Sequence, residues 1–137
     1  MILTAEQRQQ CFDKYYGHVG FNAHNGIELV DVDDGMSVVE VRLAPQGLNP
    51  LQIAHGALIF ALCDVATGVA ARTGGRSTVS QNASISFLRP GRSTEKLTCR
   101  GRVLKEGRST AVCEAEVFTD DGTLIAKSTV TAFFLDA

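Results

Sequence analysis

A chain of 137 residues, 45% hydrophobic and 20% charged, has the composition of one globular domain with a full core and is too apolar for a disordered segment. Its 13 basic and 15 acidic residues give a net charge of −2, so no global basic field exists to hold nucleic acid or an anionic membrane. The four cysteines, Cys11, Cys63, Cys99 and Cys113, form neither a C-x-x-C pair nor a cluster with histidine at metal-ligand spacing, which argues against structural zinc or another metal.

Thr4 and Gln7 have the spacing of a capping box, and Cys11, Phe12 and Tyr15 then give a short helix one apolar face. Such a helix is expected to cover one end of a sheet. Gly26 to Val32 and Met36 to Leu43 read as two strands around Asp33-Asp34-Gly35, with Val39, Val41 and Leu43 alternating against Val38, Glu40 and Arg42. Ala44 to Pro50 carries two prolines and a glycine and reads as a loop. From Ala54 to Ala71 the chain is apolar almost all the way round, which predicts a buried core helix ending near Thr73-Gly74-Gly75. The run is long enough to raise a transmembrane reading, yet His55, Asp64 and Thr67 make insertion unfavourable. With no signal peptide at Met1 to Glu6, reduced cysteines in the cytoplasm are expected.

Strands follow at Thr78 to Leu88, Lys96 to Lys105, Ser109 to Thr119 and Leu124 to Phe134. Pro90-Gly91, Glu106-Gly107 and Asp120-Asp121-Gly122 separate them, and short turns make the last three strands antiparallel. One long apolar helix with an antiparallel sheet predicts a single α+β domain over residues 1–137, with a curved sheet wrapped around the helix.

Asp64 is chemically out of place in that helix, because burying an unpaired carboxylate costs several kcal/mol. Phe60, Ala61, Thr67 and Gly68, its neighbours at helical spacing, offer no counter-charge, so its partner is distant in sequence or is a substrate. A structural Asp paired with a remote Arg or with backbone donors is the plain alternative. Upstream, the helix begins at His55-Gly56, where unpaired N–H groups are suited to a developing negative charge. A carboxylate and an oxyanion donor together point to acyl chemistry. From His55 to Asp64 an ideal helix turns through about 900°, and Gly56 to Asp64 spans about 12 Å of axis. If both groups serve one carbonyl, they come from two antiparallel helices across a two-fold axis, which makes the active unit a C2 dimer.

The run Asn49-x5-His55-Gly56-Ala57-x6-Asp64, followed by Phe87-Leu88-Arg89-Pro90-Gly91 and the Lys105-x-Gly107-Arg108 turn, resembles the hotdog-fold acyl-CoA thioesterases. The resemblance runs from about Gly26 to Phe134 and is closest to the phenylacetic-acid-degradation type. It implies the hotdog fold and hydrolysis of an aromatic or medium-chain acyl-CoA to free acid and CoA, with no cofactor beyond the CoA thioester itself. It also implies a homodimer with joined sheet edges, assembled further into a homotetramer.

By resemblance, Asp64 is the catalytic carboxylate, acting as general base or nucleophile, and the Gly56 N–H polarises the thioester carbonyl. Asn49 would place water or substrate, His55 would shape the loop, and Ser80 would set a hydroxyl near the carboxylate. Each of these three has a structural alternative: Asn49 as a turn residue before Pro50, His55 as a hydrogen-bonded loop histidine, Ser80 as one of the polar strand face Ser80, Asn82, Ser84 and Ser86. The CoA phosphates would meet Arg89, Pro90, Gly91, Lys105 and Arg108, and with Arg92 these basic residues at turns and strand ends are expected to converge at a crevice mouth. The family commonly has a second glycine after His-Gly; here Ala57 adds a methyl group near the oxyanion site, which bears on acyl-group tolerance. Two alternatives share the fold: an enoyl-thioester hydratase or dehydratase, whose histidine sits in a loop of another pattern, and a non-catalytic acyl-CoA sensor in which Asp64 lines the ligand pocket.

Overall fold

The computed structural model describes residues 2–15, 20–92 and 94–136. The capping box forms in full, with the Thr4 N–H donating to Gln7 Oε1 at 2.9 Å and the Gln7 N–H to Thr4 Oγ1 at 3.1 Å. It opens helix α1 (Ala5–Tyr15), whose Cys11 and Phe12 pack against the core. The side chain of Tyr15 lies outside the described residues. A single-turn helix α2 (Phe21–His24) follows, too short to show any period in the sequence.

Six strands form one antiparallel sheet: β1 (Ile27–Asp33), β2 (Met36–Arg42), β3 (Thr78–Phe87), β4 (Lys96–Glu106), β5 (Thr110–Phe118) and β6 (Leu124–Phe134). Their spatial order is β1-β2-β4-β5-β6-β3. The strand bounds lie within a residue or two of the alternating pattern. Within the loop expected at 44–50, Pro45–Gly47 makes one 3-10 turn.

Helix α3 (Gly56–Arg72) lies along one face of the sheet, packed mainly on β2, β4 and β5. Its depth is set at Gly101 of β4, where a Cβ would stand 2.7 Å from the backbone carbonyl of Ala66. The Ser37 hydroxyl donates to that same carbonyl at 2.7 Å, which fixes the rotation of the helix. Leu62, Val69, Val39, Leu97 and Ile125 fill the interface between helix and sheet. Cys63, Cys99 and Cys113 are free and buried there. The contact with Cys63 together with burial holds the Cys99 thiol well above its ordinary value, and burial pushes Cys113 up to about 11, so both behave as small apolar groups.

Strand β3 departs from the half-buried alternation expected of it. Thr78 is buried and Ile85 rests on the core, but Val79 to Ser84, Ser86 and Phe87 are exposed. The cause is topological: α3 carries the chain across the sheet after β2, so β3 lands on the far edge beside β6, away from the strands the helix covers. The bulge after Ser80 sets Ser80 on the helix side with Ala83 and Phe87, apart from Asn82, Ser84 and Ser86, which corrects the single polar face expected of these four residues. No helix among the described residues is long and apolar enough to cross a membrane.

Candidate active site

Asp64 sits half-buried on the open side of α3, a correction to the fully buried helix that its composition predicts. The uniform apolarity arises because the residues on that side, Phe60, Ala61 and Val65 among them, face a cavity. The partner of Asp64 is indeed distant in sequence, and it is a hydroxyl: Ser80 Oγ on β3 donates to Asp64 Oδ1 at 2.5 Å. Ser80 lies beside a register shift of the β3–β6 pairing between Ser80 and Asn82, a bulge of the kind that redirects an edge side chain. The hydroxyl fixes one carboxylate oxygen against the strand.

The cavity beside Asp64 has a volume of about 510 Å³, the size of a small-ligand site. Phe60, Ala61, Val65 and Val69 form its floor along α3, and Phe21 and Asn22 of α2 form a wall. Ala57 and Arg72 mark its two ends along the helix. Phe21, Asn22 and Arg72 are not among the residues that the sequence singles out; α2 has no period to detect, and Arg72 lies just beyond the apolar run that ends at Ala71, inside a helix expected to end near Thr73.

The loop before α3 is tightly tied. His55 is the N-cap, and its Nδ1 accepts the Ala57 N–H at 2.9 Å. Its neutral ring therefore carries the proton on Nε2, and its primary task is to end the helix. Asn49 Oδ1 accepts from the N–H groups of Leu51, at 2.9 Å, and Ile53, at 3.4 Å, so the side-chain oxygen is committed to the turn. Gln52 takes a left-handed φ of 63° within this turn. The Ala54 N–H donates to the Gly91 carbonyl at 3.0 Å, which joins the turn to the Arg89-Pro90-Gly91 segment.

Gly56 opens α3, so its N–H is among the first-turn donors that the helix cannot satisfy. The Phe87 ring lies against it, since a Cβ at Gly56 would stand 3.4 Å from Phe87 Cζ. Gly56, Ile53, Phe87, Arg89, Pro90 and Gly91 line a second, smaller cavity of about 310 Å³. Arg89 is held at its rim by donating to the Leu124 carbonyl at 2.7 Å.

The expected convergence of the basic residues does not occur within the chain. Arg89 follows the Phe87–Ala126 end of the β3–β6 pair, whereas the turn carrying Lys105 and Arg108 closes beside the Thr78–Phe134 end. There the Phe134 N–H reaches the Ser109 carbonyl at 2.9 Å, and Arg76 reaches the Arg108 carbonyl at 2.9 Å. The two ends are separated by the length of β3, about 30 Å. Turn position alone could not show this, because it depends on which strands pair. Among the described residues no group of three His, Cys, Asp or Glu side chains is placed to hold a metal ion.

Within one chain, then, an oriented carboxylate faces an apolar cavity and a helix N-terminus faces another, about 12 Å along the axis. The chemistry of the first suits a base or nucleophile, and that of the second suits an oxyanion donor. Comparison with known proteins bears on the same chemistry. A family model described as the thioesterase superfamily matches residues 51–126. The acyl-coenzyme A thioesterase PaaI of Escherichia coli K12 is 33% identical over 101 residues, covering 74% of this chain and 72% of that protein. The structure of the E. coli PaaI protein from the phenylacetic acid degradation operon superposes with a TM-score of 0.88 at 27% identity, over 96% of this chain and 95% of that one. A hypothetical thioesterase from Streptococcus pneumoniae TIGR4, solved with coenzyme A, superposes with a TM-score of 0.75 at 30% identity, over 80% of this chain and 88% of that one.

Proposed function

The chain belongs to the thioesterase superfamily and has its hotdog fold, and from that premise we propose that it hydrolyses an aromatic or medium-chain acyl-coenzyme A to the free acid and CoA. The observation that carries this reading is the Asp64 carboxylate, fixed by Ser80 on the wall of a 510 Å³ apolar cavity. The thioester carbonyl is held by the Gly56 N–H and the positive end of one helix. Asp64 of the other subunit either takes a proton from water that attacks the carbonyl, or attacks it directly to give a mixed anhydride that water then opens. In both routes the CoA thiolate leaves and the proton from water ends on it. Asn49, its oxygen committed to the turn, contributes through its amide Nδ2. Hydrolysis on this plan calls for no cofactor.

The composite site needs a C2 dimer, and the uncovered edge of β3 supports one. Pairing two β3 edges antiparallel sets the Phe87 end of one subunit against the Thr78 end of the other. Arg89, Pro90 and Gly91 of one chain then stand near Lys105 and Arg108 of its partner, so basic residues about 30 Å apart in one chain meet on one CoA. Dimers pair further into a tetramer. The free thiols in the core fit a reducing compartment, and a cytoplasmic location belongs to this reading.

The test is release of free thiol from a panel of acyl-CoA esters, with enoyl-CoA hydration followed in parallel. Turnover of the saturated and aromatic esters is expected, and Asp64→Asn should lower kcat by about 10² to 10⁴ with the fold retained, since the exchange is nearly isosteric. Near-normal turnover by Asp64→Asn, or hydration without hydrolysis, would overturn the reading.

A further inference from the structure

Arg76 lies in the loop that leads from α3 into β3, and its guanidinium is engaged by several parts of its own chain. Its Nε donates to Asp136 Oδ1 at 3.1 Å, and its Nη2 stands 3.0 Å from the same oxygen, so the charge of Arg76 is met just beyond β6. The Nη2 group also donates to the Arg108 carbonyl at 2.9 Å. The guanidinium carbon lies over the Phe134 ring, 3.7 Å from its centre. A planar fork can make these contacts together, whereas the point charge of a lysine cannot.

Backbone bonds already bring the same segments near one another. The Phe134 N–H donates to the Ser109 carbonyl at 2.9 Å, and the Leu135 N–H to the Ser77 carbonyl at 3.0 Å. What Arg76 adds is a bond at Arg108 itself, from the residue range that opens β3. The two arginines differ in what is left of their charge. Arg76 is neutralised by Asp136, while the Arg108 side chain is exposed and no group among the described residues engages its guanidinium. An exposed arginine on a loose turn loses backbone as well as rotamer freedom when it grips a phosphate, and fixing its main chain beforehand lowers that cost. The bond also sets where the cation stands: beside the Thr78 end of β3, the end that meets Arg89 of the second subunit when two β3 edges pair.

We propose that Arg76 is a positioning residue for coenzyme A, which acts through the Arg108 main chain to hold the Arg108 guanidinium at the phosphates and does not itself touch the ligand. This rests on the proposed contact of Arg108 with CoA. The experiment offers one acyl group as its CoA thioester and as its pantetheine thioester, which lacks the diphosphate and the 3′-phosphate. It compares wild-type protein with Arg76→Met, Arg76→Lys, Arg108→Ala and the doubly substituted Arg76→Met/Arg108→Ala, and measures calorimetric binding of free CoA to each. Arg76→Met should raise KM for the CoA thioester by about three- to fivefold with kcat nearly unchanged, and alter kcat/KM for the pantetheine thioester by less than about twofold. Arg76→Lys keeps the charge but not the fork and should not restore KM. The double variant should be no weaker than Arg108→Ala alone, because without that guanidinium nothing is left to position.

Equal losses on both thioesters would reduce Arg76 to a structural residue. Rescue by lysine, or losses that multiply in the double variant, would put Arg76 on the phosphate directly, and either result overturns the proposal. So does a wild-type KM in Arg76→Met or in Arg108→Ala, with thioester hydrolysis left standing. If Arg76→Met does not fold, Arg76→Lys alone and combined with Arg108→Ala carries the same expectations and decides. If neither thioester is hydrolysed, binding of free CoA is the measure. Weaker binding by Arg76→Met with no further loss in the double variant keeps the role of Arg76 and sinks the thioesterase reading, and unchanged binding sinks both.

Discussion

The two edges of the sheet are built differently. Strand β1 has 7 residues, carries Glu28, Asp31 and Asp33, and shifts register between Leu29 and Asp31. Its own chain covers it: the Leu3 N–H donates to Asp33 at 2.8 Å, and Arg8 of α1 pairs with Asp31 at 2.6 Å. Charges, a bulge and a covering helix are the usual means of closing an edge to further pairing. Strand β3 has 10 residues, none charged, and α3 leaves its residues from Val79 onward largely open on both faces. An edge of that length and polarity is suited to another strand. It also carries Ser80, so the open edge supplies the hydroxyl that orients the candidate catalytic carboxylate of α3.

The most severe way to break this contrast is to charge each edge in turn. Asn82→Lys with Ser84→Lys places two like charges on one face of β3, where they would meet their own copies across a two-fold axis. We expect a monomer by light scattering and a fall in turnover of about 10² or more, because a site drawn from two chains is lost. Glu28→Lys with Val30→Lys on β1 should leave the assembly intact and turnover within about twofold. Equal tolerance of both double substitutions would show that β3 is not the interface.

Mixed dimers sharpen the same point. Asp64→Asn removes the carboxylate, and Gly56→Pro removes the N–H at the helix start. Proline is compatible with the first helical position, and His55 already has the extended conformation, φ −68° and ψ 138°, that a following proline requires. Each variant should be inactive alone. In a mixed dimer one site receives both lesions and the other receives an intact helix end and an intact carboxylate. Random exchange makes half the dimers mixed, so recovery should reach about a quarter of wild-type activity. Folded heterodimers without recovered turnover would put the whole site within one chain.

What could be read from the sequence was local. The Thr4–Gln7 box, the turn at Gly35, the extent of α3 and the run from β4 to β6 depend on neighbours in the chain, and periodicity and turn chemistry report such features directly. The spacing of Asn49, His55, Gly56 and Asp64 was legible for the same reason, and Ser80 came with the family resemblance. The crossing of β3 to the far edge was not legible, because its alternating pattern is the same whether a face meets a core or solvent. From that one fact follow the exposure of β3 and the separation of Arg89 from Arg108. The cavity wall at Phe21 and the back-folded Arg72 depend on contacts between elements, of which one is a single turn and the other a side chain lying over a glycine.

The mildest test concerns that separation. Arg89→Ala and Arg108→Ala lie at opposite ends of the sheet in one chain and meet on one CoA only if the open edges pair. Neither should disturb the fold greatly: Arg89 bonds an exposed carbonyl that water can satisfy, and at Arg108 it is the backbone carbonyl, retained in alanine, that receives Arg76. Phosphate contacts remote from the reacting carbonyl supply mostly uniform binding, so each substitution should raise KM by about three- to tenfold with kcat nearly unchanged. Added salt should reduce wild-type affinity toward that of the variants. If Arg89→Ala raises KM and Arg108→Ala does not, CoA is held by one end of one chain, and pairing at β3 would have to be explained without it. If both raise it, and the double variant multiplies the two effects, a single ligand is being touched from two ends that only a second subunit brings together.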